Sequence, residues 1–585
     1  MVFLHSGVLM LKQRSGGQIL VDALQIHGAE LVFGVPGESF LPILDALIDS
    51  PIRFITNRHE GGAAFMAEAY GKMTGRPGIC CVTRGPGATN ASIGVHTAYQ
   101  DSTPMILLIG QVGSDFVERE AFQEMDYRRM FGEMSKWVAQ IDRADRIPEY
   151  MARAFQVATS GRPGPVVLAL PEDMLNSTAG VADAIAYSPV QAAPAAAQLA
   201  QLQTMLTAAQ RPLVLLGGSG WNQAACAAMR GFAEANRLPV ACAFRFQDLL
   251  DNEHPNYVGD VGFSINPKLA ARIREADLVL AIGPRLGEIT TAGYSLLEAP
   301  RPKQKLIHVH ADAEELGRVY QADLMINSGM PQIAEALAAM PPVAVKHGVS
   351  VAAWLAEAQA DLEAWRQEPP TCKGEVKLNL WQVMRALQAS LPADTIVTNG
   401  AGNFATWAHR FWRYGGYAAG SRTQLAPTAG AMGYGVPAAV AARIISQHHG
   451  KPRSVLNVAG DGDFLMTGQE VATAVQYGAG VLFVVFNNSM LGTIRMHQEK
   501  NYPARVSGTD LRNPDFAALA RAYGAHGDMV ETTAQFAPAL QRALAHIAAT
   551  SLPALIELRY DGSMLTPNAG LEAIRKTGLA TQQSK

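Results

Sequence analysis

The sequence predicts an α/β protein made of three consecutive doubly wound parallel-sheet domains. Three observations carry this expectation. At 585 residues the chain is too long for one core and suggests about three or four domains. Short apolar runs rich in β-branched residues alternate with helix-length segments along almost the whole chain. A Gly-, Pro- or Asn-rich turn closes most of the runs, and the 54 glycines and 33 prolines suit that many strand-to-helix turns.

In the first domain, expected over 15–185, a helix from Ile19 to His27 leads to the strand Leu31-Val32-Phe33-Gly34-Val35, which breaks at Pro36-Gly37. A helix from Leu41 to Ile48 and a strand Phe54-Ile55-Thr56 follow, ending at Asn57-Arg58-His59-Glu60. Gly61 to Lys72 reads as an Ala-rich helix, and Gly78 to Thr83 as a strand meeting Gly85-Pro86-Gly87-Ala88-Thr89-Asn90, a turn that can open a helix. Met105 to Ile109 and Val166 to Leu170 complete the sheet.

Asn176 to Ala197, rich in Ala, Pro and Ser without periodicity, reads as a linker. The central domain, expected over 195–342, has strands at Leu213–Leu216, Pro239–Phe244, Leu278–Ile282 and Leu306–His310. Residues 340–375 read as a second connection carrying a helix from Val351 to Trp365. The third domain, expected over 374–562, contains Ile396-Val397-Thr398-Asn399 and the closing strand Ala554 to Leu558. A tail, 563–585, remains; it can fold over a site as a lid or be disordered at its end.

The third domain also holds the most specific stretch. Val455 to Asp463 and Val481 to Asn488 read as two strands of a βαβ crossover around a helix from Thr467 to Tyr477. Both polar clusters then lie at the carboxyl ends of neighbouring strands, where open α/β sheets bind ligands. Gly460 and Gly462 allow close backbone approach, Asp461 offers a hard carboxylate and Asn488 an amide oxygen. Such donors suit Mg²⁺, which takes about six oxygens, few of them carboxylates, and a diphosphate can complete the shell.

Composition excludes several classes. The 48 basic against 51 acidic residues give no nucleic-acid or acidic-membrane partner. Cys80, Cys81, Cys226, Cys242 and Cys372 form no Cys-x-x-Cys pair and read as buried thiols of a reducing, cytoplasmic compartment. Met1 to Arg14 lacks the features of a signal peptide and reads as an extension upstream of an alternative start at Met10; no run approaches membrane-spanning length. His308 and His310 share a strand face but lack a third ligand in the sequence, and His448-His449 reads as a solvated loop.

The interval from Gly460-Asp461-Gly462 to Asn487-Asn488 resembles the thiamine diphosphate signature. With Gly34-Val35-Pro36-Gly37, Arg58-His59-Glu60, Gly75-Arg76-Pro77-Gly78, Gly85 to Asn90, Ala121 to Glu124, Thr159 to Pro165 and Gly430 to Gly435, the chain resembles the acetolactate synthase and pyruvate oxidase group over nearly its full length, and most of all the acetolactate synthase large subunit. That resemblance implies a pyrimidine-binding, a flavin-like central and a diphosphate-binding domain. Glu60 would be the carboxylate on N1′ of the aminopyrimidine, and Met432 the apolar residue under the bent cofactor. Asp461, Asn488 and the backbone carbonyl of Met490 would bind Mg²⁺, with Gly402, Asn403, Phe404, Gly430, Gly462, Asp463 and Gly492 around the diphosphate half. Gln123 and Phe122 would line the substrate side, with Pro36, Pro86 and Asn90 on the Glu60 side. Gly217, Gly218 and Arg285 fall where flavin contacts are expected, so FAD stands as a third candidate cofactor.

The departures bear on specificity. Asp260-Val261 stands where the family tends to have Met-His, His310 where it has an acid, His497 near a Trp that favours a larger second oxoacid, and Gly402-Asn403-Phe404 in place of Gly-Gln-His. The resemblance implies decarboxylation of a 2-oxoacid, pyruvate first, and carboligation to a second, as in branched-chain amino acid biosynthesis. The alternatives are a decarboxylase releasing an aldehyde and a flavin-dependent pyruvate oxidase. It further implies a homodimer or homotetramer with active sites at the subunit interface, and a small regulatory subunit as a candidate partner.

Overall fold

The computed structural model describes residues 12–419 and 422–583; the expected N-terminal extension up to residue 11, with Met10, lies outside the described residues. The chain divides into two compact units, residues 1–71 with 76–190 and residues 72–75 with 191–585.

The first unit holds β1 (Gln13–Ser15), β2 (Leu31–Gly34), β3 (Arg53–Thr56), β4 (Gly78–Thr83), β5 (Met105–Gln111), β6 (Trp137–Gln140), β7 (Pro165–Pro171) and β8 (Thr178–Gly180). Six of them form a parallel sheet in the order β3-β2-β4-β5-β7-β6. β5 and β7 are buried along their whole length, the pattern of strands covered by helices on both faces. The first helix, Gly16–Ile26, begins one turn before its expected start because Ser15 and Gln18 form a reciprocal capping box. The start of the expected linker is structured: β8 pairs antiparallel with β1. The strand order reverses between β2 and β4, so the turns at Pro36 and Pro86 flank the switch point, where Ser39 Oγ and Thr83 Oγ1 meet at 2.6 Å.

The second unit contains two such sheets. The central one, from β9 (Pro212–Leu216), β10 (Val240–Cys242), β11 (Tyr257–Asp260), β12 (Leu278–Ile282), β13 (Lys305–His310) and β14 (Leu324–Asn327), has the order β11-β10-β9-β12-β13-β14. The helix Ala344–Trp365 starts earlier than expected and packs on this domain: Trp354 Nε1 donates to the Pro212 carbonyl and Arg272 pairs with Asp361. The other sheet, from β15 (Ile396–Asn399), β16 (Gln424–Leu425), β17 (Val455–Gly460), β18 (Leu482–Asn487), β19 (His526–Val530) and β20 (Ala554–Arg559), has the order β16-β15-β17-β18-β20-β19. Both are parallel throughout.

The helix expected over Thr467–Tyr477 is shorter, Glu470–Gln476, and a separate helical turn, Asp461–Phe464, leaves β17 directly. Phe464 is buried against Phe483 and Phe516, and a Cβ on Gly468 would come within 2.8 Å of its ring, so the chain bends there before the helix resumes. In the tail, Met564 and Leu565 are buried and Leu571–Gln583 is a helix. All five cysteines are buried free thiols.

Candidate active site

In the third domain the strand order reverses between β15 and β17. The turns that leave β15, β16, β17 and β18 wall a cavity of about 250 Å³. Gly402, Asn403, Phe404, Gly430, Met432 and Asp461 line it, with Asn488, Met490 and Gly492 from the turn after β18. With Gly460, ten of the residues singled out in the sequence thus converge. Gly402 and Gly460 are required by close approach, since a Cβ on either would come within 2.7 Å of the Phe404 ring.

Asp461 is the charged group of this wall. Its Oδ1 accepts from the Gly462 N–H at 2.8 Å and its Oδ2 from Asn513 Nδ2 at 2.8 Å. Burial pushes the carboxyl up, opposed by these donors and by the N–H groups of Ser489 and Met490. The Asn-Asn pair divides its work. Asn487 is buried and structural, donating to Glu557 and accepting from Ser489 N and Asn513. Asn488 faces the cavity. Asn513 carries no motif in the sequence, yet it bridges Asp461 to Asn487. Tyr560, also missed, lines the same wall; burial raises its hydroxyl pKa, and Asp461 adds to the effect.

Among the described residues no cluster of three or more His, Cys, Asp or Glu exists that would hold a metal unaided. One carboxylate, one amide and the Met490 carbonyl, which already accepts from Gly492 N at 2.9 Å, leave several positions to outside oxygens. That donor set fits Mg²⁺ bound together with a diphosphate. Asp463 is not a cavity wall: its Oδ1 holds Gly433 N at 2.8 Å and Ala401 N at 3.1 Å from behind, and burial pushes its carboxyl up to about 7. Asn403 accepts from Thr493 Oγ1 at 3.0 Å, which ties the helix Gly492–Asn501 to the cavity, whereas His497 on that helix is exposed.

In the first unit Glu60 opens the helix Glu60–Thr74 and its Oε2 accepts from Asn90 Nδ2 at 2.9 Å. Pro36, Pro86 and Asn90 are exposed. Gln123 has a left-handed backbone, φ 66°, and its carbonyl accepts from Gly85 N at 3.0 Å, which sets it beside Pro86. Phe122 is exposed.

In the central domain Gly217 and Gly218 follow β9, and Arg285 follows β12. A Cβ on Gly218 would lie 1.9 Å from the Gly283 carbonyl, and Arg285 pairs with Glu315 at 3.4 Å. Close packing at Gly217 and Gly218 and an ion pair at Arg285 are contacts these residues make within the domain. His308 Nε2 lies 3.0 Å from the Pro284 carbonyl. Among the described residues no helix is long and apolar enough to cross a membrane.

Three domains of this architecture, with a ligand cavity at the switch point of the last, define a cofactor-dependent α/β enzyme. The chain belongs to the thiamine pyrophosphate enzymes: it matches their N-terminal TPP binding domain over residues 14–130, their central domain over 199–337 and their C-terminal TPP binding domain over 400–558. It is 31% identical over 534 residues to the acetolactate synthase isozyme 2 large subunit of Escherichia coli, covering 91% of this chain and 93% of that one. It is 30% identical over 569 residues to the probable acetolactate synthase large subunit of Methanocaldococcus jannaschii (94% and 93% covered). It is also 31% identical over 548 residues to the acetolactate synthase large subunit of Corynebacterium glutamicum (91% and 85%).

Proposed function

We propose that this protein is a thiamine diphosphate- and Mg²⁺-dependent carboligase of the acetolactate synthase type. It decarboxylates a 2-oxoacid, pyruvate first, and passes the two-carbon unit to a second 2-oxoacid. The observation that carries the reading is the Asp461 carboxylate, oriented by Asn513 in a cavity shared with Asn488 and Met432, in a chain whose relatives bear that name.

In this reading Asp461, the Asn488 amide oxygen and the Met490 carbonyl hold Mg²⁺, and Gly402, Asn403 and Gly492 border the diphosphate. Thiamine diphosphate, when bound, supplies the electron sink for the charge left by decarboxylation. Glu60 holds a proton at the pyrimidine nitrogen, with Asn90 orienting its carboxylate. Met432 would support the cofactor, while Phe404 and Tyr560 keep the cavity wall apolar against water. Gln123 and Phe122 border the substrate. The first domain, 15–185, serves the pyrimidine half and the third, 374–562, the diphosphate half; a cytoplasmic homodimer is the smallest active assembly, with a tetramer or a small regulatory subunit as further states. No step is assigned to a flavin.

The test is an end-point assay of the purified protein with Mg²⁺, thiamine diphosphate and pyruvate, with and without FAD. Acetolactate as the main product supports the reading. Acetaldehyde instead makes the protein a decarboxylase, and stoichiometric oxygen uptake makes it an oxidase.

A further inference from the structure

The segment Phe244–Asp248 leaves β10 of the central domain and is buried against the third domain, every residue of it below 9% exposure. Arg245 within it has a left-handed backbone, φ 65°, which a non-glycine residue adopts only where surrounding contacts enforce it. Its guanidinium packs on the Phe244 ring and reaches two carbonyls of the third domain. Nη2 donates to Gly400 O at 2.8 Å, and Nη1 donates to Pro427 O.

Those carbonyls belong to cavity turns. Gly400 precedes Ala401 and Gly402 on the wall; Pro427 O also accepts from Gly430 N at 2.9 Å, closing the turn that leads to Met432. Asp463, 3% exposed, grips the same two stretches by their amides, Ala401 N and Gly433 N, through Oδ1. Its Oδ2 makes no hydrogen bond among the described residues. Gly400 is packed between them, since a Cβ there would lie 2.0 Å from Asp463 Oδ1. A buried cation holding carbonyls and a buried acid holding amides of the same turns leave those turns little freedom.

We propose that Arg245 is a positioning residue of the cofactor cavity: with Asp463 it fixes the turns at Gly400–Gly402 and Gly430–Gly433, so that the central domain sets the affinity for thiamine diphosphate. The inference rests on the assignment of that cavity to thiamine diphosphate. The same segment supplies its own control. Asp248 accepts from Arg422 Nε and Nη2 at 3.0 and 2.8 Å and from the amides of Thr423 and Gln424, which docks the two domains without touching either cavity turn. Docking and positioning are therefore separable.

The experiment measures the dissociation constant for thiamine diphosphate with saturating Mg²⁺, by isothermal calorimetry on the full-length protein freed of cofactor. The apparent KM for the cofactor and kcat in the pyruvate assay are read in parallel. Arg245→Met is expected to weaken cofactor binding about tenfold or more, the scale of lost hydrogen bonds to a charged group, while kcat at saturating cofactor stays within about threefold. Arg245→Lys should recover part of the affinity, and Asp248→Asn should lower thermal stability with the cofactor affinity unchanged. If Arg245→Met does not fold, Asp463→Ser removes the same restraint from the other side and must show the same loss. Wild-type affinity in folded Arg245→Met, or an equal loss in Asp248→Asn, overturns the proposal. A wild-type protein that binds no thiamine diphosphate instead overturns the cofactor assignment itself.

Discussion

Asn90 donates its side-chain amide to Glu60 Oε2 at 2.9 Å, joining the helix that follows β3 to the one that follows β4. A carboxylate gripped on one oxygen keeps the other available to hydrogen-bond a protonated ligand nitrogen and hold the proton there. Glu60→Gln is expected to lower kcat by about a hundredfold or more, the usual scale of a lost proton-transfer group, with little change in Mg²⁺ requirement. Asn90→Ala should cost less, because the carboxylate remains and only its orientation relaxes. Steady-state kinetics with pyruvate check both; full activity in Glu60→Gln would remove Glu60 from the chemistry.

Asn513 ties Asp461 Oδ2 to Asn487 Oδ1, at 2.8 and 2.9 Å, and so orients the one carboxylate of the cavity wall. Partners that orient a metal-binding carboxylate usually matter by about ten- to a hundredfold in metal affinity. Asn513→Ala should therefore raise the Mg²⁺ concentration for half-maximal activity by about that factor, while kcat at saturating Mg²⁺ falls far less. A Mg²⁺ titration of activity decides it.

The contrast between Asp461 and Asn513 shows what a sequence makes legible. Asp461 stands between glycines at the end of an apolar run, and the run's length, the turn and the next strand are local patterns. The same locality exposed the three parallel sheets and the turns at their switch points. Asn513 meets Asp461 across 52 residues and Arg245 meets Gly400 across 155, and no local pattern encodes such pairings. Asp463 was legible as a neighbour of the motif, but its direction, away from the cavity and toward Gly433 and Ala401, is set by tertiary contacts. The break in the helix after β17 was hidden for the same reason, because it depends on the Phe464 ring against Gly468. The structured tail depends likewise on an ion pair that spans 76 residues.

That ion pair joins Arg575 of the tail helix to Glu499 of the helix Gly492–Asn501, through Nε and Nη2 at 2.8 and 2.7 Å. Arg575, the Ala504 N–H and Arg495 hold the Glu499 carboxyl down at about 2. A depressed acid contributes stability above its unfolded pKa near ~4.3, and loses it as pH falls through the folded value. Arg575→Ala should therefore destabilise the protein at pH 7, and the difference from wild type should shrink as pH falls below about 4. Because the helix Gly492–Asn501 carries Thr493 against Asn403, which borders the diphosphate, the variant should also raise the apparent KM for thiamine diphosphate. Thermal melts at several pH values and cofactor titrations at pH 7 check the two effects separately.

Asp260 gives the opposite sign. It ends β11 and faces Arg366, which caps the C-terminus of the helix Ala344–Trp365, Tyr257 of its own strand and Cys242 of β10. It lines a pocket shared with His409 and Arg410, and His409 is pushed down to about 3 by burial and Arg245, so it stays neutral through this range. Burial pushes the Asp260 carboxyl up to about 7 against the pull of Arg366. A raised acid contributes stability that is complete below the unfolded pKa near ~3.9 and is lost as pH rises through the folded value. Between those limits the unfolded chain sheds a proton that the folded chain keeps, and above about 7 the folded protein carries a desolvated carboxylate. Asp260→Asn removes that burden at nearly constant volume. Its melting temperature should match or fall below wild type at pH 5 and exceed it at pH 8; equal melting temperatures at both would mean that Arg366 compensates the buried charge in full.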